Sequence, residues 1–466
     1  MPPSSDSLPP CPSGLPLSPK LKHALEQLKI KEGYTPIGRV ERVVGLSIEV
    51  TGLTGRLGDV CYVEQDIYTP TGPQRTPLMC EVIGFKEGRL TLMPLEEMVG
   101  ISPNARAWNT GEPFQVPVCD ALVGRVLNGL GQPLDEKYPI RSAKQRPVMA
   151  LPPNPLQRQS IGTILPLGVR AMDAFLTMGE GQRVGVFAGS GVGKSTLLGM
   201  LARNADADLS VIALIGERGR EVKEFLEEAL GEEGQRRSIV VVATAEQPAL
   251  AKIKAGLVAT TIAEHFRSQG KRVLLMMDSL TRVAMALREV GLAGGEPPAT
   301  RGYPPSVFAF MPRLLERAGM DEQGSITGIY TVLVDGDDMN EPIADLVRGL
   351  LDGHIVLSRK LAQRNHFPAI DVGASVSRLF LTLASPTHKA TASEARNALA
   401  TYTQNEDLLS IGAYTPGQNP TLDKAVTLKP LLDAFLQQSV DEVSPLKATL
   451  QQLEALIQAS STPTAS

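Results

Sequence analysis

Aromatic side chains, cysteine and histidine are scarce in this chain of 466 residues, and neither sign of charge dominates. Aromatic residues make up 4% of the chain, and the formal net charge is −4, without a block of basic residues. Proteins that bind single-stranded nucleic acid favour basic grooves with stacking aromatic side chains. We therefore expect no nucleic acid among the partners of this protein.

The four cysteines and five histidines argue against two further kinds of site. Their spacing fits no metal-ligand motif, and the cysteines are far too sparse for a disulfide-stabilised secreted domain. Free thiols in a reducing cytosol are therefore predicted at Cys11, Cys61, Cys80 and Cys119.

Signals for secretion or membrane insertion are lacking as well. The first residues have neither the charged nor the apolar region of a signal peptide. No apolar run approaches the roughly 20 residues that a membrane-spanning helix needs. The sequence thus predicts a cytoplasmic protein that is peripheral to the membrane and contacts it only through partners.

An N-terminal segment, residues 1–35, stands apart in composition. It begins with a stretch rich in proline and serine, which cannot bury a core. Leu21, Leu25 and Leu28 then recur at helical spacing and predict a short amphipathic helix. Two interpretations of this apolar stripe stay open: it docks on a partner, or it packs on its own domain or frays.

The rest of the chain divides into four segments. Short alternating strands separated by glycine and proline predict a small β-barrel over residues 36–105. Residues 106–160 are a connector, proline-rich at its end, that leads into the next domain. Strands and helices alternate over residues 161–380, which predicts an α/β domain with a mostly parallel sheet. Residues 381–466 have the pattern of a C-terminal helical domain.

The most specific motif spans residues 184–196 and reads Val-Gly-Val-Phe-Ala-Gly-Ser-Gly-Val-Gly-Lys-Ser-Thr. An apolar strand runs through a glycine-dense turn into a helix, which is the local setting of a phosphate-binding loop. Ala188 stands where the strict pattern begins with glycine, and it leaves the cradle of backbone N–H groups intact. Gly189, Gly191 and Gly193 allow the positive φ angles and the close backbone approach to phosphates that such a loop requires.

This loop predicts that the chain binds ATP or GTP together with Mg²⁺. Lys194 adds a positive charge for the phosphates, and the Ser195 hydroxyl is expected to ligate Mg²⁺. The predicted nucleotide-binding residues are Gly189, Ser190, Gly191, Val192, Gly193, Lys194, Ser195 and Thr196.

A carboxylate follows the next apolar run, residues 210–216, where parallel α/β sheets place their chemistry. Two interpretations of this residue, Glu217, stay open. It polarises the water that attacks the γ-phosphorus, or it starts and caps, with Arg218, a helix over residues 221–230. In the first case Arg218 is expected to hold the carboxylate or to contact the γ-phosphate.

A second apolar run, residues 272–278, ends in Asp278 and has the form of a Walker B strand. Such an aspartate holds Mg²⁺ through water and orients its shell. Apolar strands ending in aspartate are common, so this signal gains weight only downstream of the phosphate loop. Thr281 and Arg282 either support the site from behind or begin the next helix.

Longer stretches carry a family resemblance. The order of barrel, phosphate loop, Gly-Glu-Arg and Walker B strand resembles the catalytic subunits of rotary ATPases. The chain more closely resembles the flagellum-specific export ATPases of type III secretion, over roughly residues 36 to 440. The stretches that carry the resemblance are 124–135, 295–308, 314–319, 335–343 and 351–360.

The resemblance implies a homohexameric ring of subunits, each with a RecA-like domain, that hydrolyses ATP with Mg²⁺. It implies that Glu217 activates water and that Arg378 crosses into the neighbouring subunit's nucleotide site, where a guanidinium neutralises charge on the γ-phosphate. Phe367 matches the family aromatic that packs against adenine, although a plain core phenylalanine is the competing interpretation.

Several functions remain open on the sequence. The leading hypothesis is a motor for flagellar protein export, with a regulatory or stator protein at the N-terminal segment, export-gate proteins, and chaperone–substrate complexes as partners. The alternatives are a virulence-type secretion ATPase, a rotary ATP synthase catalytic subunit, and a hexameric nucleic-acid translocase. A non-catalytic nucleotide-binding subunit is a further alternative, against which Glu217 argues.

Overall fold

The computed structural model describes residues 36–461 except 71, 136–139, 141–142 and 335–337. The N-terminal segment, with its predicted amphipathic helix, lies outside the described residues. Within the described part, no helix is both long enough and apolar enough to cross a membrane.

A closed barrel forms the first domain, with strand order β1-β2-β5-β4-β3-β6. Its interior is apolar because alternate side chains along each strand point inward, as at Ile48, Val63 and Leu92. The strands are β1 Ile37–Val44, β2 Ser47–Thr51, β3 Asp59–Thr69, β4 Gly72–Lys86, β5 Arg89–Pro94 and β6 Arg106–Pro113.

The barrel extends beyond residue 105, where the sequence placed its end. Strand β6 closes it by pairing with both β1 and β3. The sequence pattern missed this strand because Ala107 is its one fully buried residue and most of the others are exposed. A buried ion pair between Glu81 of β4 and Lys254 of the next domain ties the barrel to the rest of the chain.

The predicted connector contributes ordered strands. β7 Gln115–Val118 and β9 Lys144–Pro147 form an antiparallel pair, with β8 Val126–Asn128 between them in the chain. β8 joins the edge of the central sheet by parallel pairing with the strand Ser238–Ala243. The connector is therefore part of the central domain's framework.

The central domain is an α/β unit whose main sheet has the strand order β17-β16-β10-β15-β13-β11-β12-β8. All neighbours along this path are parallel except β16 and β17. The strands not yet given are β10 Arg183–Ala188, β11 Leu209–Ile215, β12 Ser238–Ala243, β13 Arg272–Asp278, β14 Gly319–Met320, β15 Ser325–Leu333, β16 Gly353–Leu357 and β17 Val376–Ser377.

Helices cover both faces of this sheet, so its central strands are buried on both sides. All seven residues of β11 are buried, for example. A π-helical segment, Phe225–Leu230, lies between α3 and α4. The helices are α1 Arg170–Phe175, α2 Lys194–Asn204, α3 Gly219–Glu224, α4 Gly231–Arg236, α5 Ala249–Arg267, α6 Leu280–Ala293, α7 Pro305–Leu315, α8 Pro342–Leu350 and α9 Arg359–Gln363.

The strand order places the ends of four strands, β10, β15, β13 and β11, side by side. Strand β15 lies between β10, which leads into the phosphate loop, and β13, which ends at Asp278. Strand β11, which ends just before Glu217, lies on the other side of β13. Ligands of open parallel sheets bind outside the carboxyl ends of the strands, so the phosphate loop, Glu217 and Asp278 share one edge.

The C-terminal part is helical, as predicted. Serine and asparagine side chains followed by proline begin the longer helices: Ser385 caps α11, and Asn419 accepts hydrogen bonds from two N–H groups at the start of α13. The helices are α10 Phe380–Leu383, α11 Pro386–Gln404, α12 Glu406–Ser410, α13 Pro420–Leu436 and α14 Leu446–Ser461. The predicted class, a barrel, a parallel-sheet α/β domain and C-terminal helices, is confirmed.

Candidate nucleotide site

The phosphate loop joins β10 to α2 at the carboxyl edge of the sheet. Gly191 and Gly193 have φ angles of 75° and 87°, in the left-handed region that favours glycine. Gly189 does not adopt a positive φ, because it directly follows β10 and the turn begins after it. Ser195 and Thr196 are exposed in the first turn of α2, where N–H groups and the helix dipole favour anions.

Lys194, the first residue of α2, contacts Glu217, the predicted catalytic carboxylate, and Asp278, a predicted Mg²⁺-binding residue. Its Nζ donates to Asp278 Oδ1 at 2.6 Å and to Glu217 Oε1 at 3.1 Å. Burial opposes the positive charge, but the two carboxylates outweigh burial and hold the pKa of Lys194 above its ordinary value. The structure therefore brings together three residues that lie far apart in the sequence.

Asp278 is almost wholly buried, at 2% exposure, at the end of β13. Burial raises the pKa of its carboxyl group, and Glu217 adds to this, while Lys194 and a hydrogen bond from Thr331 act in the opposite direction. The Thr331 hydroxyl, on β15, donates to Asp278 Oδ1 at 2.7 Å. The peptide bond that follows Asp278 is cis.

Sequence analysis missed Thr331. Its one signal is that it is one of four hydroxyl-bearing residues in a strand that is almost wholly buried, and buried polar groups need partners. That signal does not name the partner, because the adjacency of β15 and β13 is a matter of sheet order.

Arg218 does not hold the Glu217 carboxylate. Its side chain is 83% exposed and lies 3.7 Å from Glu221, one turn ahead on α3. The helix begins at Gly219, earlier than expected, and Arg218 is its N-cap residue, which turns the side chain outward to solvent. The interpretation of Arg218 as part of the start of the helix is therefore correct, while Glu217 turns toward Lys194.

Thr281 and Arg282 lie just behind this cluster. The Thr281 hydroxyl accepts a hydrogen bond from Leu333 N at 2.9 Å and so ties α6 to the end of β15. The Arg282 side chain packs against the α-carbon of Gly216, next to Glu217. The helix-start interpretation agrees with the structure, because both residues lie in the first turn of α6, and their supporting role in the site stays a prediction.

Phe367 lies beside the phosphate loop. A methyl group built on Gly193 would lie 3.4 Å from Phe367 Cδ1, so the ring rests against the loop's last glycine. The ring is 41% exposed, which does not fit a plain core phenylalanine. An exposed apolar face therefore lies next to the loop, and the packing of Phe367 against adenine stays a prediction.

Arg378 lies at the opposite edge of the sheet from the phosphate loop. Its backbone N–H donates to the Asp352 carbonyl, and the Asp352 N–H donates to the carbonyl of Arg183, at the start of β10. From Arg183 to Ala188, where the loop begins, β10 rises about 16 Å at about 3.3 Å per residue. The exposed Arg378 side chain, whose Nη2 donates to the Arg348 carbonyl, is thus remote from its own loop.

The donor chemistry of the cluster suits Mg²⁺. Ser195, Asp278 and Thr331 offer hard oxygen atoms, and Mg²⁺ is usually held by one or two carboxylates with substrate phosphates and water. Among the described residues, no group of three or more His, Cys, Asp or Glu side chains could hold a metal by itself. This pattern fits a metal that arrives with a nucleotide.

Comparison with known proteins places this geometry in a family. Residues 168–377 match the model of the ATP synthase alpha/beta family, nucleotide-binding domain. Residues 384–455 match the model of the T3SS EscN ATPase C-terminal domain. The flagellum-specific ATP synthase of Bacillus subtilis is 49% identical over 437 residues, which cover 94% of this chain and 99% of that protein. The chain belongs to the type III export ATPase family.

Relatives named flagellum-specific ATP synthases and relatives named type 3 secretion system ATPases resemble this chain about equally. The type 3 secretion system ATPase of Xanthomonas euvesicatoria is 47% identical over 440 residues, which cover 94% of this chain and 98% of that protein. The assembled ATPase EscN in complex with its central stalk EscO, from enteropathogenic E. coli, has a TM-score of 0.81 at 45% identity and covers 90% of this chain and 100% of its own. The sequence-based family assignment is confirmed.

Proposed function

We propose that this chain is an ATP-hydrolysing subunit that energises type III protein export. The observation that carries the proposal is the contact of Lys194 with Glu217 and Asp278 at the end of a phosphate loop. A mobile cation, a carboxylate beside the γ-phosphate position and a buried aspartate are the parts that P-loop NTP hydrolysis requires. Membership of the export ATPase family supports this activity.

The chain's own groups divide the chemistry among them. Backbone N–H groups of residues 189–196 bind the phosphates, and Lys194 turns from the carboxylates to the γ-phosphate. Glu217, once released, accepts a hydrogen bond from the attacking water and orients it. Ser195 and Asp278 would hold Mg²⁺ together with the nucleotide, and the ion would supply positive charge that offsets the charge of the phosphates.

Arg378 completes the site of a neighbouring subunit in a homohexameric ring. Its place at the far edge of its own sheet supports action in trans, because its own phosphate loop is out of reach. A guanidinium beside the transferred phosphate stabilises charge in the transition state. The assembled form of EscN supports the ring.

The expected partners are inferred from those of related export ATPases. The complex of EscN with a central stalk supports a stalk partner for this chain. The N-terminal segment binds a regulatory or stator protein, and export-gate proteins and chaperone–substrate complexes bind the assembled ring at the cytoplasmic face of the membrane. Deleting residues 1–33 should leave ATP hydrolysis intact and abolish recovery of the regulatory protein from cell extract. Equal recovery with and without the segment would contradict this assignment.

Flagellar export is the preferred setting, with virulence-type secretion as the alternative. The match of residues 384–455 to a type III C-terminal domain favours export over a rotary ATP synthase. The small negative net charge weighs against a nucleic-acid translocase. Expression in a host whose own flagellar ATPase gene is deleted should restore swimming, and rescue of needle-type secretion alone would favour the alternative.

The primary test is hydrolysis by the purified protein. Release of inorganic phosphate from ATP should require Mg²⁺. The specific activity, the rate of release per subunit, should rise with protein concentration as subunits assemble. A pure, folded, assembled protein without ATP turnover would contradict the proposal.

A further inference from the structure

Gln438 lies just after α13 and is buried, at 6% exposure. Its side-chain oxygen accepts a hydrogen bond from Arg170 N at 2.8 Å. Its side-chain nitrogen donates to the carbonyl oxygens of Gly168 and Glu442, both at 2.8 Å. One side chain thus joins the entry to α1, in the central domain, to the segment between α13 and α14.

The backbone of Gln438 reaches the nucleotide site. Its N–H donates to the carbonyl oxygen of Phe367 at 3.0 Å. Phe367 in turn rests against Gly193 of the phosphate loop with 41% of its surface exposed. The position of this ring is therefore linked through a single backbone hydrogen bond to a residue whose side chain is fixed at three points.

We propose that Gln438 is a positioning residue for the base of the nucleotide. Its side chain fixes its own backbone, the backbone fixes the Phe367 carbonyl, and the carbonyl holds the ring beside the phosphate loop. The inference rests on the proposed function, ATP hydrolysis, and on the prediction from the family resemblance that Phe367 packs against adenine. An aromatic ring that is already ordered spares the cost of ordering it when the base binds.

Removing the side chain should weaken base recognition and leave phosphate recognition unchanged. In Gln438→Ala, the Arg170 N–H and the Glu442 carbonyl lose this partner, the Gly168 carbonyl keeps only the weaker bond from Ser444 N, and the Phe367 segment loosens. A buried hydrogen bond contributes on the order of 1 kcal/mol, so ATP should bind about 2- to 10-fold more weakly. Inorganic tripolyphosphate, which has no base, should bind with unchanged affinity. KM for ATP should rise while kcat stays within about twofold of the parent.

A matched control is available at the other edge of the sheet. Gln182 is fully buried, and its side chain also makes three hydrogen bonds: it accepts from Gly179 N at 2.9 Å and donates to the Asp352 carbonyl and the Ser377 hydroxyl, both at 3.1 Å. Gln182→Ala should lower the melting temperature to a similar extent without changing ATP affinity. If Gln438→Ala folds poorly, Gln438→Met keeps the side-chain volume, removes the same hydrogen bonds and should show the same loss of ATP affinity.

A double-mutant cycle with Phe367→Ala tests whether Gln438 affects ATP affinity through the Phe367 ring. If Gln438 acts through the ring, the combined variant should lose no more ATP affinity than Phe367→Ala alone. Additive losses, or an equal loss of tripolyphosphate affinity, would overturn the positioning role and leave adenine stacking intact. A normal ATP affinity in Phe367→Ala itself would instead overturn the stacking assignment, and the positioning role with it.

Discussion

Lys194 Nζ lies 3.1 Å from Glu217 Oε1, so the cation expected to meet the γ-phosphate also neutralises the carboxylate expected to orient water. The same ammonium contacts Asp278 Oδ1. A nucleotide that draws Lys194 toward its phosphates would release Glu217 at the moment when a substrate is present. In this arrangement Glu217 would become free to orient water only when a nucleotide occupies the site.

Lys194→Ala should abolish both nucleotide binding and turnover, because the phosphates lose their main counter-ion. It should also destabilise the nucleotide-free protein by about 3 kcal/mol, since Asp278 stays buried without its cation. Adding Asp278→Asn should recover much of this stability but no activity. Urea unfolding and phosphate release measure the two effects, and unchanged turnover in the single variant would rule out this loop as the site.

Glu217→Gln should separate binding from chemistry. The amide keeps the size of the side chain but removes the negative charge that orients water, so kcat should fall at least about a hundredfold while ATP affinity persists. Glu221→Gln, an exposed carboxylate on the adjoining helix, is the matched control and should retain activity. Equal losses of affinity and turnover in Glu217→Gln would mean that the residue is structural.

Arg378→Ala should bind ATP normally and turn it over at least about a thousandfold more slowly, as expected for an arginine acting in trans. Arg364→Ala, which removes another exposed arginine, provides the control. Mixing Arg378→Ala with Lys194→Ala subunits should restore activity, because some interfaces then pair an intact loop with an intact arginine. Failure of rescue in assemblies shown to be mixed would place Arg378 outside the site.

The buried carboxyl group of Asp173 gives a pH-dependent prediction. It accepts hydrogen bonds from Leu167 N and Gly168 N, both at 2.9 Å, and burial raises its pKa to about 7, although these donors oppose the shift. Between pH 4 and 7 the folded chain retains a proton that the unfolded chain releases. The protonated Asp173 therefore contributes to the free energy of unfolding in full below pH 4, and this contribution is lost as the pH rises through 7.

Asp173→Asn cannot titrate, so the parent's stability relative to this variant should increase as the pH falls from 8 to 5. Urea unfolding of the two proteins, in parallel and under non-assembling conditions, measures the difference. A difference that stays constant over this range would contradict the raised pKa.

Local sequence signals found the parts of the site that lie on contiguous motifs. The phosphate loop and Asp278 were found because a strand, a turn and a helix each leave a pattern within a few residues. The contacts of Thr331 and Gln438 left no such pattern, since they depend on which strands are neighbours and on where the C-terminal helices pack. The outward direction of Arg218 was missed for a related reason, because it depends on where α3 begins.

The separation of the phosphate loop and Arg378 across one sheet would also constrain the symmetry of the assembly if Arg378 acts on a neighbouring subunit, as proposed. A two-fold dimer uses the same surface on both partners, and that surface would have to carry both groups at once. Groups at opposite edges instead favour head-to-tail association, in which each copy offers one edge and receives the other. Such contacts close into a ring only at the correct rotation between neighbours and otherwise continue as a filament. Substitutions that alter this angle would therefore produce fibres rather than inactive monomers.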